Sequence, residues 1–281
     1  MRRSARPCAR SRGVVLRREI YAEDCTAKAG IPYMISERSY AIVPFQCRSE
    51  RHHGVFFVHA REAITSQLER NPADPRVLHE FVLEVDEFGN VRRAAAVAYG
   101  RRPGADWLAL AARDRQVQAE LLCTLFENDY TNAIDVAHAH RTPMLSEART
   151  YELTGLHAQE RLCFGEVQRV TRAALPVPFE DGPRAGSRQQ LAAEGGPSKR
   201  IVEQRRFVYR RDDLVGPLPL GRVESMALLH ETRQLAFHAG AARAELWRPY
   251  PRGDAHGRRL RARPRGSGWW VPSGRGVLFS R

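Results

Sequence analysis

The feature that most constrains the fold is an alternation of apolar and acidic residues that begins at Val77. One set of alternate positions is apolar or histidine, at Val77, His79, Phe81, Leu83 and Val85. The positions between them hold the acids Glu80, Glu84 and Asp86. A period of two is typical of a strand with one buried face. The stretch therefore predicts a half-buried β-strand over residues 77–86.

The next residues, Asp86-Glu87-Phe88-Gly89-Asn90, predict a tight turn into a second strand over residues 91–99. Gly89 and Asn90 tolerate a positive φ, and the carboxylate of Asp86 can accept nearby backbone N–H groups. We therefore assign Asp86, Gly89 and Asn90 a structural role in the turn of a β-hairpin.

The rest of the chain predicts a mainly β fold. Valine and isoleucine recur in short bursts that Pro, Gly and Asp separate, which favours many strands over a few long helices. The further predicted strands span residues 14–21, 40–45, 55–59, 121–130, 147–153, 201–210, 225–237 and 269–280.

Two segments depart from the strand pattern. Residues 166–175 predict one short helix with Val167 and Val170 facing inward. In residues 61–70, Ile64 and Leu68 lie at helical spacing, so helix and strand both remain open there.

Composition suggests a division into two sheet blocks. Residues 178–198 are polar and rich in Gly and Pro, which predicts a loop or linker between block one (13–177) and block two (199–281). Residues 1–12 form a basic leader that we expect to be disordered. The leader has no apolar segment typical of a secretory signal, and no run in the chain is long enough to predict a membrane span.

The net charge of +13 suggests a binding module for nucleic acid or an anionic surface. Only Lys28 and Lys199 are lysines, so 43 of the 45 basic residues are arginine, as a GC-rich coding sequence would also produce. Arginines concentrate near both ends without the interleaved aromatic residues of a base-stacking surface. The binding module is therefore kept as the alternative hypothesis, and no nucleic-acid partner is expected.

The five cysteines, Cys8, Cys25, Cys47, Cys123 and Cys163, form no C-x-x-C pair, and we interpret them as buried or incidental thiols. Cys163 is the best of a weak set of candidate nucleophiles. The candidate metal-binding histidines are His138 and His140 near Asp135, and His52 with His53. Neither group has a second spaced ligand pair, so incidental histidines are the preferred interpretation.

The acidic and tryptophan residues also favour structural interpretations. Glu84 and Asp86 share the exposed face of a strand, where solvated acids are expected, and Asp212 with Asp213 fits the polar end of a strand. Trp269 and Trp270 point to opposite faces of a strand, which predicts packing. A sugar-stacking platform in a glycan hydrolase that uses Trp269 and scattered acids is the weaker alternative.

Several long stretches, spread from about residue 15 to residue 275, resemble one protein family. They are VLRREIYAEDCTA, GVFFVHAREAITSQLERNPADPRVLHEFVLEVDEFGNVRRAAAVAYGRR, LFENDYTNAID, RTPMLSEARTYELTGL, KRIVEQRRFVYRRDDL, LPLGRVESMAL, LAF and GWWVPSGR. The family is the middle-to-C-terminal region of the TcdB-type B component of bacterial Tc (ABC) insecticidal toxin complexes, which is related to SpvB-type virulence proteins.

The resemblance implies a non-enzymatic shell segment built from antiparallel RHS/YD-like hairpins of a spiralling sheet. It implies as partners an RHS-repeat C component, the remaining B-component shell and, indirectly, a translocating A component. It implies a location in a secreted toxin complex, or in the bacterial cytoplasm before release. No catalytic residue, cofactor or metal site is carried over to this chain.

The sequence also departs from the family. The family's proteins are several-fold longer, and Cys25 stands where the family pattern has a glycine after aspartate. A slice of sheet taken from a closed shell exposes unpaired backbone groups along an edge, so we expect the isolated chain to be poorly soluble.

Overall fold

The computed structural model describes residues 13–46, 53–102, 110–156, 160–179, 196–238, 261–262 and 268–275. The chain divides into two compact units. The first comprises Met1–Thr124, Leu153–Ala174 and Pro183–Pro197, and the second comprises Leu125–Glu152, Leu175–Gly182 and Ser198–Arg281. The predicted linker over residues 178–198 stays a prediction, because residues 180–195 lie outside the described residues, as does the leader over residues 1–12.

The described residues form fourteen strands and two helices. In chain order they are β1 (Arg17–Ile20), β2 (Met34–Gln46), β3 (Val55–Gln67), β4 (Arg76–Val85), β5 (Val91–Ala98), α1 (Ala112–Ala119), β6 (Leu122–Tyr130), β7 (Ile134–Val136), β8 (Ala139–Arg141), β9 (Leu145–Thr154), α2 (Phe164–Ala173), β10 (Leu175–Val177), β11 (Ser198–Tyr209), β12 (Leu229–His238), β13 (Arg261–Ala262) and β14 (Gly268–Arg275).

The first unit is an antiparallel sheet with the order β1-β2-β3-β4-β5. The alternation in β4 is confirmed, because His79, Phe81 and Leu83 are buried while Glu80 and Glu84 are exposed. Helix α2 adds Val167 and Thr171 to this core. The other buried apolar side chains of the unit include Ala95, Val97, Cys123 and Leu162.

The second unit contains the strand order β6-β9-β11-β12-β14-β13, and β10 pairs with β11 in parallel. Strands β7 and β8 form a separate two-stranded ribbon. Among the described residues of the second unit, the buried apolar side chains are Leu125, Val208, Tyr209, Val223 and Trp270. Both units are therefore mainly β and largely antiparallel, as predicted.

Several boundaries differ from the predictions. Residues 61–67 continue strand β3, so the helical alternative for residues 61–70 is wrong: Ile64 pairs with Glu37 on one side and with His79 on the other. The predicted helix near residue 166 is confirmed as α2, but α1 is a second helix where only one was predicted. Strand β2 begins at Met34 rather than at residue 40, and β12 begins at Leu229 rather than at residue 225.

Candidate functional surface

One face of the second unit carries a row of alternating charges that crosses three strands and ends on a tryptophan of a fourth. We call Asp129, Arg149, Glu147, Arg206 and Trp270 the charged row. Arg149 joins the acids on both sides of it, at 2.7 Å from Asp129 Oδ2 and 2.7 Å from Glu147 Oε2. Arg206 Nε then donates to Glu147 Oε1 at 2.5 Å.

The row ends in a cation–π contact. The guanidinium carbon of Arg206 lies 4.1 Å from the centre of the Trp270 ring. Trp270 is 7% exposed, and the Glu147 side chain is 9% exposed. Burial strengthens charge–charge and cation–π attraction, but it also makes any unpaired charge costly. The buried charge of each central member of the row is therefore stabilised by the opposite charges of its neighbours.

Further ion pairs and a second cation–π contact lie on the strands of the same unit. Lys199 Nζ lies 2.7 Å from Glu127 Oε1 and 4.7 Å from the centre of the Tyr151 ring. Burial, with Glu127 close by, raises the pKa of Tyr151 to about 12, so its hydroxyl stays protonated at neutral pH. Arg200 pairs with Glu152, and Arg233 pairs with Glu231 on its own strand.

The charged row was not predicted from sequence. Its members alternate with other residues in SEARTYE and EQRR, so the period-two signal was present. What the sequence did not reveal was the pairing of β9 with β11. Only that pairing brings Arg206 to Glu147, which lies 59 positions earlier in the chain.

The residues predicted to form the hairpin turn lie together between β4 and β5. Asp86 Oδ1 accepts the N–H groups of Phe88 at 3.0 Å and Asn90 at 2.9 Å. Gly89 has a φ of +88°, and a Cβ built there would lie 2.9 Å from Phe57 Cζ. The carboxylate of Asp86 is thus occupied by the turn, while Glu84 remains exposed on β4.

The two tryptophans lie in strand β14. The backbone of Trp269 pairs with Ala262 and Phe237, and its side chain lies outside the described residues. Trp270 pairs with Leu235 and Arg261, and its side chain contributes to the charged row.

The weaker candidates that the structure describes are not members of the charged row. His140 Nδ1 is 3.5 Å from Asp135 Oδ1 in the exposed β7–β8 ribbon. Cys163 is exposed at the start of α2, while His52 lies outside the described residues. The described residues hold no cluster of three or more His, Cys, Asp or Glu side chains able to bind a metal ion.

Asp212 organises a loop of the second unit rather than a pair with Asp213. Its Oδ2 accepts both the N–H and the hydroxyl of Ser225, and its Oδ1 accepts the N–H of Met226 at 3.0 Å. These hydrogen bonds hold the pKa of Asp212 below its usual value, the Ser225 hydroxyl contributing most. Asp212 therefore holds the start of this loop against its end at Ser225 and Met226.

A model of the insecticide toxin TcdB middle/C-terminal region matches residues 9–153, just over half of the chain. The chain belongs to this family. No curated protein matches the sequence.

Solved structures of Tc toxin proteins share the fold. A crystal structure of TcdB2–TccC3 matches with a TM-score of 0.64 and 18% identity over 92% of this chain. A structure of the Photorhabdus luminescens Tc holotoxin pore matches with a TM-score of 0.63 and 17% identity, again over 92% of this chain. The chain spans 12% of the length of each matched chain. None of its described helices is long and apolar enough to cross a membrane.

Proposed function

We propose that this chain forms part of the β-sheet wall of a Tc toxin B component and acts as a barrier rather than as an enzyme. In this role it would help to enclose a cytotoxic effector, together with an RHS-repeat C component, for delivery in a secreted toxin complex. The remaining B-component sheet would be its direct neighbour, and a translocating A component an indirect partner.

The observation that carries this proposal is the long antiparallel sheet itself. Strands β2 and β3 each run for 13 residues, and the described sheet of the first unit is built from neighbours in sequence order. The fold shared with TcdB2 in the TcdB2–TccC3 structure supports the same role. The charged row also supports a structural role, because arginine side chains neutralise its acids and join neighbouring strands of the sheet.

Co-expression with an RHS-repeat C component tests the proposal. We expect an affinity-tagged chain to retain the C component through size-exclusion chromatography, in a ratio that does not change on dilution. The variant Arg206→Glu places two acids side by side in the charged row and should reduce retention, whereas Arg205→Glu, on the exposed side of β11, should not.

A folded chain that retains no C component would contradict the proposal. Circular dichroism of each sample establishes that the sheet is formed. Retention of DNA that falls steeply with added salt would instead favour the binding-module alternative.

A further inference from the structure

His79 of strand β4 is linked, through the hydroxyl of Tyr99, to the segment that precedes helix α2. Its side chain is 3% exposed, and its ring centre lies 3.8 Å from that of Phe81. His79 Nδ1 lies 3.2 Å from the hydroxyl oxygen of Tyr99, which follows β5. The same oxygen accepts the backbone N–H of Leu162 at 2.9 Å, two residues before α2 begins.

Two further hydrogen bonds join α2 to the sheet further along the helix. Arg93 of β5 donates to the carbonyl oxygen of Thr171 at 2.7 Å, and Gln168 donates to the carbonyl oxygen of Leu83 at 3.5 Å. Near the start of the helix, the ring of Phe164 lies 6.5 Å from that of Phe81. Two polar groups therefore link the N-terminal end of α2 to the sheet: the Tyr99 hydroxyl, through its hydrogen bond, and Arg61 of β3, whose guanidinium carbon lies 4.2 Å from the centre of the Phe164 ring.

Protonation of His79 would change the direction of this hydrogen-bond chain. His79 Nε2 faces Glu62 Oε2 of β3 at 3.4 Å, which favours the neutral tautomer with its proton on Nε2. In that tautomer Nδ1 accepts the Tyr99 O–H. A second proton on Nδ1 turns this acceptor into a donor, so the Tyr99 hydroxyl hydrogen loses its partner inside the core.

The charged groups around the pair act in opposite directions. Glu62 favours a charged imidazole, while burial and then Arg161, just before α2, disfavour it. Glu166 of α2 and Cys123 of β6 lie close enough to Tyr99 to influence its hydroxyl, whose pKa burial raises. The net effect, in which burial dominates, lowers the pKa of His79 from 6.5 to about 4.

We propose that His79, Tyr99 and Leu162 form an acid-sensitive latch that holds the N-terminal end of α2 on the sheet and releases it when His79 is protonated. The latch is a property of the first unit alone, so its test and that of the proposed function can fail separately.

The pH window follows from the direction of the pKa change. Because the pKa of His79 is lower in the closed state, an open state takes up a proton first as the pH falls below 6.5. The closed state loses stability progressively from there down to about pH 4 and gains none above 6.5. Over that whole window the closed-to-open ratio falls on the order of 100-fold.

Hydrogen–deuterium exchange of the full 281-residue chain tests the latch. The variant His79→Gln retains an acceptor for Tyr99 but does not titrate, and comparison at each pH cancels the intrinsic pH dependence of exchange. Peptides covering residues 162–173 should exchange equally in both proteins near pH 7. Near pH 5 the wild-type peptides should exchange about 10-fold faster than those of His79→Gln. An equal wild-type-to-variant ratio at the two pH values would overturn the latch.

Two further variants complete the design. Tyr99→Phe removes the hydroxyl and should give fast exchange of residues 162–173 at both pH values. His140→Gln changes an exposed histidine of the second unit and should leave the wild-type pH dependence intact. If His79→Gln does not fold, an NMR titration of the His79 ring in the wild-type chain replaces it, and a midpoint near 6.5 would exclude the latch.

Discussion

At the scale of single residues, Cys25 is one of five described positions where a side chain other than glycine has a positive φ. Cys25 has a φ of +55° and is exposed in the loop between β1 and β2. The loop is held by Asp24, whose carboxylate pairs with Arg70 at 2.5 Å and accepts the N–H of Thr26. Glycine would adopt this positive φ without steric cost.

Replacing Cys25 with glycine should stabilise the protein. The left-handed conformation costs a side chain about 1–2 kcal/mol, and the extra freedom of glycine in the unfolded chain offsets part of the gain. We expect the free energy of unfolding in urea to rise by about 0.5–1 kcal/mol. Cys25→Ala keeps the Cβ and should give no such increase, and a destabilised Cys25→Gly would show that the thiol packs usefully.

Gly89 shows the opposite case, in which the favoured residue is already present. Gly89→Ala keeps a φ of +88° and places a Cβ against Phe57, whose ring stacks on Phe45 at 5.6 Å. We expect a loss of about 1–3 kcal/mol in the free energy of unfolding. Gly216→Ala is the matched control, because a Cβ there meets no atom within 4 Å. Similar losses in both variants would contradict this assignment.

The turn was predictable because its chemistry is local. Asp86, Gly89 and Asn90 lie within five positions and satisfy one another. His79 was predicted to face the core, but its partners were not, because Tyr99 and Leu162 lie 20 and 83 positions further along the chain. A sequence pattern predicts which face of a strand a side chain lies on, but it does not predict which distant residues that side chain contacts.

At the scale of elements, strand β11 has two different sides. Arg206 is 24% exposed and contacts Glu147 and Trp270, whereas its neighbour Arg205 is 52% exposed and pairs with an exposed Glu203. Removing Arg206 takes one of two cationic partners from the buried Glu147, which keeps Arg149, and also removes the contact with Trp270. Exposed pairs such as Arg205–Glu203 contribute little.

The two arginines should therefore respond differently to truncation. We expect Arg206→Ala to lower the free energy of unfolding by about 1–3 kcal/mol and Arg205→Ala by less than about 0.5 kcal/mol. Urea unfolding of both variants measures the difference. Added salt should screen the small contribution of Arg205 more completely than that of Arg206, and equal losses would show that the charged row does not stabilise the sheet.

The errors in predicting elements have physical causes. Residues 61–67 were ambiguous because Ile64 and Leu68 fit a helical spacing, but pairing with both β2 and β4 satisfies the backbone of this segment as a strand. Helix α1 was missed because it has no buried residue, so no apolar periodicity marks it. Helix α2, which buries Val167 and Thr171, carried that periodicity and was predicted.

At the scale of the whole molecule, the family could be predicted because its matching stretches are long and preserve their order. The division into units is less visible in the sequence, because the chain leaves the first unit after Thr124 and returns to it at Leu153. A linear pattern has no marker for such a return, since β6 and β9 each continue across the boundary as single strands.

Strand β1 is an edge strand among the described residues of the first unit. Arg38 donates its N–H to the carbonyl oxygen of Leu16 at 2.8 Å, and Arg17 lies opposite Glu37. Because bonded and non-bonded pairs alternate in an antiparallel ladder, Arg18 is bonded to β2 while Glu19 directs its backbone N–H away from it. Exposed Leu16 and Tyr21 flank this edge.

We therefore expect the isolated chain to self-associate through β1, and a single proline to reduce this association. Glu19→Pro removes an outward-facing donor and should lower the average mass in sedimentation velocity while the circular dichroism of the sheet is retained. Arg18→Pro, one residue earlier, removes a donor to β2 and should instead unfold the edge and increase aggregation. A wild-type chain that remains monomeric and melts cooperatively at high concentration would show that its β1 edge does not template pairing, and the barrier role would then need another edge for its junction with the remaining sheet.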